Sequence, residues 1–182
     1  AAGAGWSQTK KYDIKSGIVT YETIMKLGRL EMTMKTVVYF DEYGRLERRD
    51  TYENGAVTES FMSDGTTLFS LIHGEKTAYR QGSSYRGTEL AVDWNSYSRR
   101  DKESGAAKLM PPMTVLGRSC EVIQYTGRNT TMTVAGLHRV LVFSETKSSS
   151  TETTQMAVEF KENAQIPAVT FKVPAGYAVK DM

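Results

Sequence analysis

The chain has 182 residues, of which 40% are apolar and 24% charged, with a formal net charge of +2. That length suits one domain, since domains run to about 100–200 residues, and the apolar content excludes a disordered chain. Lys and Arg alternate with Asp and Glu, as in Glu47-Arg48-Arg49-Asp50 and Arg99-Arg100-Asp101-Lys102-Glu103, so the concentrated basic surface that nucleic acid requires is missing.

Residues 1–11 carry Gly, Ala and Lys without periodicity and predict a loose lead-in to a single domain over 12–182. The start, Ala1-Ala2-Gly3-Ala4-Gly5-Trp6, resembles a mature or engineered terminus left after a leader is removed. A first strand is expected over 12–26. Gly28 then supplies the backbone freedom for a reversal into the strand 30–40.

That second strand sets the pattern for the chain. Leu30, Met32, Met34, Thr36, Val38 and Phe40 fall on one parity, and Glu31, Thr33, Lys35, Val37 and Tyr39 on the other. A strand sends alternate side chains to opposite faces, so one face is apolar and the other mixed. The two-residue rhythm recurs along most of the sequence and predicts a mainly antiparallel sheet.

Asp41-Glu42-Tyr43-Gly44 reads as a turn, with an acid first and Gly last. Residues 45–53 form a charge-rich strand, Asn54-Gly55 is a tight hairpin signal, and 56–62 returns antiparallel. Ser63-Asp64-Gly65 and His73-Gly74-Glu75 turn into strands over 66–72 and 76–81, completing a meander. From Gly82 the pattern breaks. A polar stretch over 82–87 precedes Leu90-Ala91-Val92-Asp93-Trp94 and a charged run, which together predict a helical insert over about 90–112. Pro111-Pro112 is expected to close it, because neither residue has an amide hydrogen to continue a helix.

Sheet is expected again over 114–126, 130–147 and 153–163, with Met156, Val158 and Phe160 on one parity. Ile166 to Tyr177, bracketed by Pro167 and Pro174, reads as a short edge strand, where a missing donor does least harm.

Several short motifs together resemble the outer-membrane lipoprotein carrier family (LolA/LolB-like) and its secreted relatives. They are Ser16-Gly17-Ile18-Val19-Thr20-Tyr21, Phe40-Asp41-Glu42-Tyr43-Gly44, Leu116-Gly117-Arg118-Ser119-Cys120-Glu121-Val122 and Phe171-Lys172-Val173-Pro174-Ala175-Gly176. The resemblance spans most of 12–178. It implies a curved, incompletely closed antiparallel half-barrel of roughly ten or eleven strands, with a short helical insert as a lid over an apolar concave face that accepts acyl chains. It also implies a periplasmic or outer-membrane-associated protein. No segment of this chain aligns with a specific lipoprotein-docking residue, and fold does not carry function with it.

On that reading the concave face would be lined by Met25, Met32, Met34, Val38, Phe40, Trp94, Met132, Met156, Val158 and Phe160. Nine methionines supply thioethers suited to an adaptable wall for flexible chains, and filling the core is the ordinary alternative. The expected partner is an apolar small molecule or lipid, with an envelope protein the alternative, and no cofactor is indicated. No apolar run approaches the roughly 18 residues of a membrane-crossing helix.

Candidate chemistry is sparse. His73 and His138 lie in different hairpins without carboxylate or thiol at ligand spacing, so neither metal nor catalysis is expected of them, and His73 in its turn is expected to be solvated. The pairs Asp41 with Glu42 and Asp50 with Glu53 fit turns and exposed faces better than acid/base catalysis. Cys120 sits in an alternating run and reads as a small buried residue. Asn129-Thr130-Thr131 matches a glycosylation acceptor by chance.

Overall fold

Alternation of small or apolar side chains with polar ones runs through β1 (Gly17–Leu27) and β2 (Leu30–Asp41), and these two strands form the centre of the architecture. The computed structural model describes residues 10–81 and 89–182. The predicted loose residues 1–9 and the polar stretch 82–87 lie outside them. Beyond the central pair the chain forms β3 (Leu46–Glu53), β4 (Ala56–Ser63), β5 (Leu68–Ile72) and β6 (Thr77–Gln81), then β7 (Ala107–Val115), β8 (Arg118–Thr126), β9 (Thr130–Leu137), β10 (Val140–Ser148), β11 (Thr151–Glu162) and β12 (Ala178–Asp181).

All twelve belong to one open sheet in the order β12-β6-β5-β4-β3-β2-β1-β11-β10-β9-β8-β7. Two meanders therefore meet where β1 pairs with β11. Every pairing is antiparallel except β12 with β6, which is parallel. The sheet does not close, and the fold is the half-barrel expected from the sequence.

Four expectations are corrected. The insert is not a helix over 90–112: it holds a 3-10 turn at Trp94–Ser96 and α1 (Arg99–Glu103), capped by Ser98, whose hydroxyl accepts from the Asp101 amide. Pro111 and Pro112 lie inside β7 instead of closing a helix, at a register shift between Met110 and Met113. β7 is an edge strand and the two prolines lie at its register shift, a setting in which a sheet tolerates missing donors. The span 130–147 is two strands, reversed at His138-Arg139, where both residues take positive φ (54° and 62°). Finally, the edge strand is β12, beyond the predicted 166–177, which instead forms a 3-10 turn at Ala168–Phe171 and a strap.

Among the described residues the core has three parts. The largest joins Tyr12, Val19, Tyr21, Val38 and Phe40 to Cys120, Val122, Ala135, Val140 and Ala157. A second, of Val92, Ile123, Val134 and Leu141, lies on the other face of β8 and β9, because Val122 and Ile123, like Val134 and Ala135, are consecutive residues in a strand. Strands β8 to β10 are thus covered on both faces, one of them by the insert. Gly136 makes that docking possible, since a Cβ there would lie 2.5 Å from the Val92 Cβ. The third part, Met62, Phe69, Leu71 and Ala78, is covered by Val173 and Tyr177 of the C-terminal strap.

Lys10 and Lys11 are anchored. The Lys11 and Tyr12 amides both donate to the Tyr43 carbonyl, and the Asp13 amide donates to that of His138. The segment therefore ties the β2–β3 turn to the β9–β10 turn.

Candidate functional site

The register at the β1–β2 tip separates two chemically different faces. On one, Met32, Met25, Thr153, Thr146 and Met132 are successive cross-strand neighbours across β2, β1, β11, β10 and β9. The next row inward is Met34, Thr23, Gln155, Ser144 and Val134, and the row toward the tip is Leu30, Leu27 and Thr151. None of these positions is charged. On the opposite face the same strands place Glu31, Lys26, Glu152 and Lys147 in one row and Lys35, Glu22 and Met156 in another. Directly opposed pairs share a face, so the sheet here is amphipathic.

The methionine face is partly open. Met25, Met34 and Met132 are half-buried, and Met32 is 41% exposed. Below them, Thr23 and Gln155 are 5% and 7% exposed, and Thr23 Oγ1 and Gln155 Nε2 have no hydrogen-bond partner. One further row inward, Tyr21 and Ala157 are buried, and the Tyr21 hydroxyl is held by the Leu141 carbonyl at 2.6 Å. Burial raises the Tyr21 phenol well above its ordinary value and keeps it neutral. The face is thus open at the tip and closed beyond Tyr21.

Of the ten residues expected on this face, Met25, Met32, Met34 and Met132 come together. Val38 and Phe40 belong to the closed end, at 1% and 0% exposure, where the Tyr12 ring lies 4.7 Å from that of Phe40. Phe160 packs there too, 6.4 Å from Phe40. Met156 and Val158 do not join them, and the cause is a bulge. Thr20 pairs with Glu159 and Tyr21 with Ala157, which leaves Val158 unopposed and reverses parity between Met156 and Phe160. Met156 consequently stands beside Glu22 on the charged face, and Met156 and Val158 are each 45% exposed. Nothing in the apolar alternation of β11 signalled the extra residue.

Trp94 sits in the insert, packed against the Ile123 and Val134 cluster and 6.0 Å from Tyr97. Tyr97 lies 6.1 Å from Tyr125, the cross-strand neighbour of Met132. Met132 packs against the same cluster, so Trp94 meets the methionine row at its β9 end. A groove of about 350 Å³ is lined by Glu22, Thr33, Met34, Lys35 and Tyr52 among others. Most of that lining belongs to the charged face, and Met34 is the residue the groove shares with the methionine rows.

Asp50, expected on an exposed face, is buried in β3 together with a second acid of that strand. Glu47 is fully buried and accepts from Lys11 Nζ at 2.6 Å and from the Tyr12 hydroxyl at 2.7 Å. Arg49 donates to the buried Glu89 at 2.8 Å, and burial raises that carboxyl above its usual range against the pull of Arg49. Asp50 accepts from Arg48 at 2.7 Å and from Ser60 at 2.5 Å.

His73 also departs from its expected solvated turn. Its Nε2 lies 2.7 Å from Ser60 Oγ and its Nδ1 2.6 Å from the Tyr177 hydroxyl. Asp50 takes the Ser60 hydrogen, so His73 Nε2–H donates to Ser60 and Tyr177 donates to Nδ1. The order Asp50, Ser60, His73, Tyr177 differs from a nucleophilic triad, in which histidine stands between acid and serine, and Ser60 is fully buried. The network ties the C-terminal strap to β3, β4 and β5. Among the described residues no group of three or more His, Cys, Asp or Glu is placed to hold a metal ion. Cys120 is buried as expected, and burial raises its thiol.

No protein-family model matches the chain, and no curated protein does. Among solved structures, an uncharacterised conserved protein from Thermus thermophilus matches with a TM-score of 0.62 at 8% identity, over 95% of this chain and 93% of that one. A chain of the Pseudomonas aeruginosa MucA/MucB complex matches with a TM-score of 0.51 at 11% identity, over 92% of this chain and 58% of the other, so this chain spans little more than half of its length. A LolA superfamily protein from Nitrosomonas europaea matches with a TM-score of 0.44 at 12% identity, over 89% and 94%. At such identities the likeness is one of fold alone. The fold shared in this way is an open antiparallel half-barrel with an insert after its sixth strand packed on the sheet.

Proposed function

We propose that this protein is a non-enzymatic binding or carrier protein of the cell envelope, periplasmic or outer-membrane-associated, that holds a lipid, acyl chain or other apolar ligand on the face bearing Met25, Met32, Met34 and Met132. The observation that carries this reading is the three uncharged cross-strand rows, partly open to solvent, on strands whose other face carries Glu22, Lys26, Glu31 and Lys35. Methionine adapts its shape to flexible chains, and four thioethers on one face form a wall of that kind. Burying a methylene contributes about 0.8 kcal/mol, so about ten of them supply ~8 kcal/mol before the cost of association. Affinity then comes from contact area rather than from a charged clamp.

A second reading, a protein-interaction module of the envelope, is favoured by the self-filled closed end of Tyr12, Val38 and Phe40. One experiment separates the two. Native mass spectrometry and solvent extraction of the purified chain are expected to recover a lipid, and a fluorescent fatty-acid analogue is expected to bind in the micromolar range. The double variant Met25→Glu/Met32→Glu should abolish that binding while leaving the melting temperature close to that of the parent, because both side chains are partly exposed. A folded parent protein that yields no lipid and ignores the analogue would overturn the carrier reading in favour of the interaction module.

A further inference from the structure

We propose that Thr23 and Gln155 form a polar recognition point within the methionine face, which takes the uncharged carbonyl oxygen of an acyl ester or amide. This rests on the binding role given above and names the class of ligand.

The two residues are direct cross-strand partners, Thr23 on β1 and Gln155 on β11. Both are more than nine-tenths buried, and Thr23 Oγ1 and Gln155 Nε2 are the buried side-chain polar atoms without a hydrogen-bond partner among the described residues. Buried polar atoms in native proteins are nearly always paired, so two orphans side by side call for an explanation. Their place on the face supplies one. Met34 neighbours Thr23 and Ser144 neighbours Gln155, the half-exposed Met25 row lies one step outward, and the buried Tyr21 and Ala157 lie one step inward. The pair thus sits where the open part of the face ends.

The atoms also define what they can take. The Gln155 amide nitrogen can only donate, and the Thr23 hydroxyl can donate as well. A carbonyl oxygen has two lone pairs and accepts both hydrogens at once. A free carboxylate would enter without a cation to meet it, because none of the three rows carries Lys or Arg, and an unpaired buried charge is strongly unfavourable. A bare hydrocarbon would leave both donors unmet. The acyl carbonyl therefore meets Thr23 and Gln155 while its chain runs over Met34, Met25 and Met32 toward the tip.

The test uses the full chain and three probes of one chain length: methyl laurate, laurate and dodecane, each competing with a fluorescent fatty-acid analogue. The parent protein is expected to prefer methyl laurate to dodecane by roughly tenfold, the scale of a neutral hydrogen bond. In Thr23→Val/Gln155→Leu that preference should vanish, and the melting temperature should hold or rise because two orphaned polar atoms are gone. Thr23→Ser keeps the hydroxyl and should keep the preference. An unchanged ester-to-hydrocarbon ratio in the double variant would mean that water satisfies the pair, and would overturn the proposal while leaving the binding role intact. Laurate binding more tightly than the ester would overturn it as well. Failure of all three probes to bind the parent would overturn both the binding role and this proposal.

Discussion

Tyr12 gives its phenol hydrogen to the fully buried carboxylate of Glu47 at 2.7 Å, across 35 residues of sequence. Lys11 reaches the same oxygen at 2.6 Å. Burial and the neighbouring Glu47 charge raise the Tyr12 phenol well above its ordinary value, so it remains a donor at any physiological pH. Through this contact the segment that enters β1 fastens itself to β3. Tyr12→Phe keeps the ring against Phe40 and removes one donor from Glu47. We expect a loss of about 1–3 kcal/mol, read as a lower urea midpoint with an unchanged slope.

His73 should make stability fall with acid. Burial, followed by the Arg48 charge, lowers its imidazole below the ordinary 6.5, and Asp50 opposes this in part. A base with a lowered folded value is neutral when folded and takes up its proton more readily when unfolded. Its contribution is therefore complete above 6.5 and is lost as pH falls from there through the folded value. Urea midpoints between about pH 7.5 and about pH 5 should fall more steeply for the parent protein than for His73→Asn. Equal slopes would show that the Ser60 and Tyr177 contacts do not depend on the charge of the ring.

Gly136→Ala would place a methyl group where Val92 already stands. Neither backbone can yield cheaply, because the Val92 amide donates to the Arg139 carbonyl at 2.8 Å. Overpacking of this kind costs about 1–3 kcal/mol. Hydrogen exchange at the Val92 amide should accelerate well beyond that of the β1 amides; protection equal to the parent's would mean that the insert does not rely on this close approach.

The bulge at Val158 can be checked by paired truncations. Phe160 packs against Phe40, whereas Val158 is 45% exposed. Phe160→Ala should cost about 2–4 kcal/mol and Val158→Ala less than about 0.5 kcal/mol. Similar costs for the two would mean that they share an environment, as uninterrupted alternation of β11 predicts.

How far the sequence reached is clearest at the β1–β2 hairpin. Parity placed Met25, Met32 and Met34 on one face because the side-chain period of a strand is two and both strands run unbroken from the turn at Gly28. In β11 the same argument failed within three residues, since one unopposed residue reverses the parity and leaves no mark in composition. Thr23 and Gln155 drew no attention in the sequence, as an isolated Thr or Gln is ordinary. Only their pairing across β1 and β11, which lie more than a hundred residues apart in the chain, made them neighbours.

The alternating pattern and the turn residues by themselves determined a mainly antiparallel sheet and most of its reversals, because both act over a few bonds. The tertiary structure decided which strands became neighbours, where Pro111 and Pro112 were accommodated, and which charges of β3 were buried. Each of those outcomes depends on contacts between distant segments, such as Tyr12 with Glu47 and Val92 with Gly136, whose energies no local window of sequence contains.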